Sequence, residues 1–272
     1  MHPIKVSHYF FKDIINYFRH KEYNVCHEYG KIRMNVASGD QVFGCGKTLS
    51  LVKYAIHIYK KYDGLQVWDS EHNAFCTQHI HIISNVNLYG VPYIEWESEK
   101  QFTDLESYNF PKQDITIFLL DEIGTIFNSR TFRNNISPEF LTKLLQSRKN
   151  KMCLYSTSQR FLFTDKILRE SCSTVTTCRK FWRFITLSDY NAYDLENTTN
   201  PALLKPVSSS IWLATDDDYN SYDTEQLIER LKKNKDDILS TEEILNTRGD
   251  SVAGMDNISQ RHLKRIKQRK TR

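Results

Sequence analysis

The sequence predicts an α/β fold, a mostly parallel sheet flanked by helices with a phosphate-binding loop at one edge. Three observations lead there. The stretch Gln41-Val42-Phe43-Gly44-Cys45-Gly46-Lys47-Thr48 lies between a strand pattern and a helix pattern, a setting in which backbone N–H groups can surround a phosphate. The apolar run Ile115 to Leu120 ends in Asp121-Glu122, as a buried parallel strand with carboxylates at its C-terminal edge would. Met152 to Ser158 reads as a further strand with a polar tip at Gln159.

With 272 residues the chain can bury a full core. Its 26% charged residues argue against disorder across the body. No apolar run approaches the ~20 residues that span a bilayer, and the N-terminus lacks the layout of a signal peptide. Six cysteines without a C-x-x-C pair suit reduced thiols and a cytoplasmic setting. Cys26-His27 with His72 and Cys76 matches no standard zinc-ligand spacing. The net charge of +4 comes from the end of the chain. Its last fifteen residues hold seven Lys or Arg and no acid, and the body without them has 30 basic against 33 acidic residues. Such a tail suits a nucleic-acid phosphate backbone, an anionic membrane surface, or no partner at all.

In chain order, Tyr9, Phe10, Phe11, Ile14, Ile15 and Phe18 form an apolar stripe at helical spacing after a capping Ser7. This helix is expected to cover one face of the domain. Ile32 to Val36 alternates as a strand and runs into the loop. Leu49, Leu51, Val52, Ala55, Ile56 and Ile58 then give a helix ending in basic residues before Gly64. His79 to Ile83 reads as the next strand, with both histidines as sheet-surface residues, and a helix is expected from Glu97 to Glu106. After the acidic strand, Ser137-Pro138-Glu139 starts a helix carrying Phe140, Leu141, Leu144 and Leu145. Asp165 to Arg169 makes a short helix, and Ser173 to Leu187 a β-hairpin turning at Arg179-Lys180. Cations and aromatics interleave there in a way that suits nucleic acid as well as a half-buried strand pair. Ser208 to Ala214 is a late strand, and Asp223-Thr224-Glu225 caps a helix through Leu231. The expected division is an N-terminal helical extension (1–30), a core (31–215), a C-terminal helical segment (216–257) and a basic tail (258–272).

The chemistry of the site follows from these placements. Phe43, Gly44, Cys45, Gly46, Lys47 and Thr48 would line the phosphates, with Lys47 on the β and γ groups and Thr48 on Mg²⁺. Asp121 would hold Mg²⁺ through water, and Glu122 would orient and deprotonate the attacking water. Gln159 would point to the same edge, toward the γ-phosphate or that water. Arg130 and Arg148 are candidates for a charge supplied to a neighbouring subunit's nucleotide, or are surface residues. Gln41 stands where the loop's first glycine is usual; Gly39 could supply the flexibility two residues earlier.

Taken together, the GCGKT loop, Ser-Asn-Val-Asn-Leu-Tyr-Gly-Val-Pro-Tyr, Leu-Leu-Asp-Glu-Ile-Gly-Thr-Ile-Phe-Asn-Ser-Arg, Leu-Leu-Gln-Ser-Arg-Lys, Ser-Thr-Ser-Gln-Arg and Asp-Lys-Ile-Leu-Arg occur in that order. Over residues 30 to 230 the chain resembles the zonular occludens toxin-like (Zot) ATPases, filamentous-phage assembly proteins in the FtsK–HerA group of P-loop motors. The resemblance implies a RecA/FtsK–HerA-like P-loop NTPase using ATP and Mg²⁺, acting as a homo-oligomer, a hexamer, that moves viral DNA during extrusion or packaging. It implies phosphate contacts at Gly44, Gly46, Lys47 and Thr48, a magnesium carboxylate at Asp121, a base at Glu122 and a sensor at Gln159. Many members continue into a membrane span and an outer domain, neither of which is expected here; membrane or virion assembly proteins are then the expected partners. The expected location is the host cytoplasm, the inner face of the membrane or the virion. Competing readings are a plasmid or host DNA-transfer ATPase of the same group, a nucleotide-switched scaffold with slow hydrolysis, and a small-molecule kinase. The kinase is disfavoured, since no arginine-rich lid follows a substrate-binding segment. If the tail neutralises DNA phosphates, deleting residues 258–272 weakens DNA binding and flattens its dependence on salt. The log–log slope is expected to fall by up to about 0.9 for each phosphate no longer neutralised; an unchanged slope in a salt titration sinks that assignment.

Overall fold

A continuous apolar strand splits its side chains between two faces, so both must be covered. Ile115–Leu120 does this: Phe118 and Leu120 join one buried cluster, and Ile117 and Leu119 the other. The computed structural model describes residues 3–39, 41–126, 138–198 and 203–223, all within the compact unit Met1–Thr224. The strands are β1 (Ile32–Ala37), β2 (Leu65–Asp69), β3 (Ala74–Gln78), β4 (Ile80–Ser84), β5 (Asn87–Leu88), β6 (Ile94–Glu95), β7 (Ile115–Leu120), β8 (Met152–Ser158), β9 (Thr174–Phe181), β10 (Phe184–Asn191), β11 (Ser208–Leu213) and β12 (Tyr222–Asp223). The helices are α1 (Pro3–Arg19), α2 (Lys47–Tyr62), α3 (Lys100–Thr103), α4 (Ile123–Ile126), α5 (Pro138–Leu145), α6 (Lys166–Ser171), α7 (Ala192–Asn197) and α8 (Asp216–Tyr219).

Among the described residues the main sheet has eight strands in the order β11-β10-β9-β1-β8-β7-β4-β6. Pairings from β9 across to β6 are parallel, and β9-β10 and β10-β11 are antiparallel. Apart from the two-residue β6 at the edge, the parallel strands counted along the chain lie in the order 5-1-4-3-2. All the parallel strands therefore end at one edge, the edge where ligands of open α/β sheets gather. The apolar side of α2 (Leu51, Val52, Ala55, Ile58) covers one face with Ile80, Ile82, Ile117 and Leu119. On the other face Phe102, Phe140, Leu144 and Leu168 pack on Met34, Phe118 and Leu154.

Several expectations are corrected. The apolar side chains of α1 do not cover the domain. Tyr9, Phe10, Phe11, Ile15 and Phe18 are each more than 60% exposed, because helical spacing sets which side is apolar but not what meets it. Leu65–Asp69 and Ala74–Gln78, not foreseen as strands, form an antiparallel hairpin closed by Asn73 at φ +48°. The helix expected over 97–106 is one short turn, α3, followed by a 3₁₀ turn over Leu105–Tyr108, because Asp104 departs from helical geometry (φ −112°, ψ 47°) between them. The late hairpin turns at Trp182-Arg183 and not at Arg179-Lys180, with Trp182 in the left-handed region at φ +54°. Tyr222 and Asp223 pair with β5, and the helix expected beyond them lies outside the described residues. His81 bonds Asp114 at 2.7 Å and stacks on Phe110, a structural use of that ring.

Phe118 is wholly buried, with its ring 4.5 Å from Phe102 and 6.0 Å from Trp96. Phe118→Ala is expected to cost about 3–5 kcal/mol through lost burial and a cavity that cannot collapse, measured as a shift of the urea unfolding midpoint at unchanged slope.

Candidate functional site

The chain leaves β1 tied to both neighbouring strands: the N–H of Ala37 donates to the Gln159 carbonyl (3.4 Å), and that of Ser38 to the Cys178 carbonyl (3.1 Å). Gln41 extends this anchoring. Its side-chain oxygen accepts the backbone N–H of Lys180 at 2.9 Å, so the residue that departs from the usual loop pattern fastens the loop to the end of β9. At the far end Gly46 caps α2 at φ +86°. A Cβ there would come within 2.9 Å of the Ile185 side chain on β10, so both conformation and space call for glycine. Cys45 is buried and Phe43 is 76% exposed.

Lys47 begins α2 with its ammonium folded back across the loop. It donates to the Val42 carbonyl at 3.1 Å and lies 3.9 Å from the Cys45 sulfur. A buried ammonium ringed by loop backbone is suited to an anion. Beneath it, the Asn35 amide on β1 donates to the Lys47 carbonyl (3.2 Å) and fixes the first turn of α2 to the sheet.

One residue along, the Thr48 hydroxyl donates to Asp121 Oδ1 at 2.8 Å, joining loop and acidic strand end across the intervening β8. The same oxygen accepts the Thr157 hydroxyl at 2.6 Å. Since that hydroxyl donates to Asp121, its oxygen is free to accept the backbone N–H of Glu122, at 2.9 Å. Asn85, just past β4, clamps the Asp121 peptide from the other side: its Oδ1 accepts the Asp121 N–H (2.7 Å) and its amide donates to the Asp121 carbonyl (2.9 Å). Two strand ends and the first turn of α2 thus hold one aspartate. Glu122 turns the chain at φ +48°, a strained conformation for a non-glycine residue that the surrounding bonds maintain.

Burial raises the Asp121 carboxyl, opposed by the hydrogen bonds from Thr157 and Thr48 and by the charge of Lys47, and the balance is upward. Glu122 is also raised, by burial and then by the neighbouring Asp121 charge, with Lys47 opposing. A carboxyl held above its ordinary value beside a cation is tuned to take a proton. Among the described residues no three His, Cys, Asp or Glu side chains gather as a metal site. Mg²⁺ asks for less, commonly one or two protein oxygens with phosphates and water completing the shell, and the Thr48 hydroxyl and Asp121 carboxylate fit that donor set.

The Gln41–Thr48 loop, Asp121, Glu122 and Gln159 therefore lie along one sheet edge. Arg148 does not join them in its own chain; it packs beside Gly30 ahead of β1, at the opposite edge. Arg130 lies outside the described residues. Sequence reasoning did not single out Asn35, Asn85 or Thr157. Thr157 was open to discovery, because two-residue periodicity puts it on the same face of β8 as Gln159; the clamp of Asn85 depends on the pairing of β4 with β7.

A glycine-containing loop between the first strand and its helix, paired acids after the third, and the order 5-1-4-3-2 are the arrangement of a P-loop NTPase-type α/β fold. No protein-family model and no curated protein matches the chain. Among solved structures it is similar to the N-terminal domain of zonular occludens toxin from Neisseria meningitidis, with a TM-score of 0.44 and 15% identity over 71% of this chain and 98% of that one. It is similar also to the genome packaging NTPase B204 from Sulfolobus turreted icosahedral virus 2 in complex with ATP-gammaS (TM-score 0.42, 11% identity, 68% of this chain, 98% of that one). A third is EssC (ATPases 2 and 3) from Geobacillus thermodenitrificans (0.37, 12%, 68% and 37%). Among the described residues no helix is long and apolar enough to cross a membrane.

Because the native state binds the Glu122 proton more tightly than the unfolded chain does, the ionised form weakens the fold, and stability is lost as pH rises through the folded value. Glu122→Gln is expected to raise Tm at neutral pH by a small amount, on the order of 1–2 °C given its partial solvation. The difference shrinks as pH falls and the wild-type carboxyl protonates. Thr157→Val moves the other way, by about 2 kcal/mol, since it leaves the Glu122 N–H without its partner and takes one of two hydroxyl donors from Asp121 Oδ1. Thermal melts of both variants across a pH series measure these shifts.

Proposed function

We propose that this chain is an ATP-hydrolysing motor that moves viral DNA during virion assembly or packaging, working as a ring of identical subunits. The observation that carries the enzymatic part is the 2.8 Å bond between Thr48 and Asp121, which brings the phosphate loop and the acidic strand end to one point with Glu122 adjacent. The nucleic-acid part is supported by the order of the sequence motifs and by the concentration of basic residues in the last fifteen positions; the ring and the virion context rest on the family resemblance.

In this reading Lys47 meets the β and γ phosphates with the ammonium that otherwise donates to Val42. The N–H groups of residues 44 to 48 line the rest of the loop. Thr48 and Asp121 hold Mg²⁺, which when bound neutralises charge on the phosphate oxygens. Glu122 accepts a proton from the attacking water, and its raised affinity for that proton makes it a better base than an exposed carboxylate. Thr157 keeps Glu122 in place through its backbone N–H. Gln159, at the end of β8, orients the water or the terminal phosphate. Closely spaced strand ends hold these groups, so little has to move for the chemical step.

ATP turnover on wild type, Lys47→Ala and Glu122→Gln, with and without single- and double-stranded DNA, tests the proposal. Turnover is expected to rise with DNA. Lys47→Ala weakens nucleotide binding at least about tenfold, whereas Glu122→Gln retains binding and loses roughly 10²–10⁴-fold in rate. Nucleotide binding with negligible turnover on every DNA would mark a switched scaffold and not a motor.

A further inference from the structure

The phosphate loop has a second wall on the side away from the acids. Ser38, Gly39 and Gln41 face Arg179, Lys180 and Phe181 on β9 across a cavity of about 570 Å³, a volume within the range of small-molecule clefts. Most of its lining is polar. The exception is Phe181, whose ring is 81% exposed although β9 is otherwise buried toward its start. Gly39, at φ +57°, has open space where a side chain would stand, which lets a ligand approach the backbone closely. The Gln41–Lys180 bond holds the two walls together.

The cavity lies on the β9 side of β1, and the acids lie at the end of β7 on the other side. From β9 to β7 is three strand spacings, about 14 Å, the length scale of an extended nucleoside triphosphate. A nucleotide with its terminal phosphate at Asp121 and Glu122 and its inner phosphates over the loop would thus carry its other end into this cavity. We infer that the cavity is the nucleoside pocket of the site, with the Phe181 ring stacked on the base and Arg179 beside the ribose and α-phosphate. This rests on the phosphate-site reading proposed above. A flat apolar ring on a polar rim favours a heteroaromatic base over a second phosphate, because any base offers a π-face while Phe181 offers an anion nothing.

Calorimetry of the full chain with ATP, ADP and inorganic tripolyphosphate, each with Mg²⁺, separates the two layers. Phe181→Ala is expected to weaken ATP and ADP roughly tenfold and to leave tripolyphosphate affinity unchanged. Phe181→Trp keeps ATP affinity, and its added fluorescence responds to ATP but not to tripolyphosphate. Phe181 is exposed, so neither change threatens the fold. The inference is overturned if Phe181→Ala leaves ATP affinity intact, or weakens ATP and tripolyphosphate alike. It is also overturned if only single-stranded DNA affinity falls, which would make the hairpin a nucleic-acid contact. Failure of the underlying reading looks different: wild type would bind neither ATP nor tripolyphosphate, or Lys47→Ala would bind both as wild type does.

Discussion

Asp121 Oδ1 accepts hydroxyls from Thr48 and Thr157, and through those two bonds the loop helix, β7 and β8 share one carboxylate. An ionised oxygen at a partly buried strand end is costly without donors and strongly held with them. One donor comes from the first turn of α2, which follows β1, and the other from the end of β8, which the sheet places beside β7, so the parallel pairing of β1, β8, β7 and β4 comes before the chemistry. Asn85 completes the arrangement by bonding both sides of the Asp121 peptide, extending the ladder one residue past the strands.

Strain and charge at this edge have the same origin. Glu122 adopts a positive φ because the chain must turn away from the sheet while its N–H still meets Thr157. It sits beside Asp121 in a partly desolvated space, and both carboxyls are held above their ordinary values. Lys47 offsets part of that repulsion without forming a direct bond to either acid, which leaves its ammonium directed into the loop. Two carboxyls held this way are inclined to take up protons.

Gln41 shows how a departure from a motif can be structural. Where a glycine would leave the loop to find its own path, Gln41 binds the end of β9, and with Gly46 against Ile185 the antiparallel part of the sheet becomes the loop's outer support. β9 and β10 therefore do more than extend the sheet: β9 forms one wall of the cleft beside the loop and carries Phe181 to its rim.

The strand–loop–helix unit at Lys47, the apolar strand ending in Asp121-Glu122 and the strand leading to Gln159 are all legible in the sequence. They are local patterns of period and spacing, set by the backbone geometry of single elements. Their meeting at one edge is legible too, because parallel strands in an α/β order must end together. The residues that support them become visible only in the folded chain. Thr157, Asn85 and Asn35 act across strand pairs whose register depends on contacts distant in sequence, and a lone Thr or Asn carries no mark of its partner. The same holds for α1, whose apolar side is plain in the sequence and stays exposed among the described residues, since periodicity specifies a surface and not its complement. The turn at Trp182 was decided by a single residue accepting positive φ, a choice that side-chain type biases only weakly outside glycine, asparagine, aspartate and histidine; Asn73 in the β2–β3 hairpin is of a favoured type, but an asparagine by itself does not mark a turn.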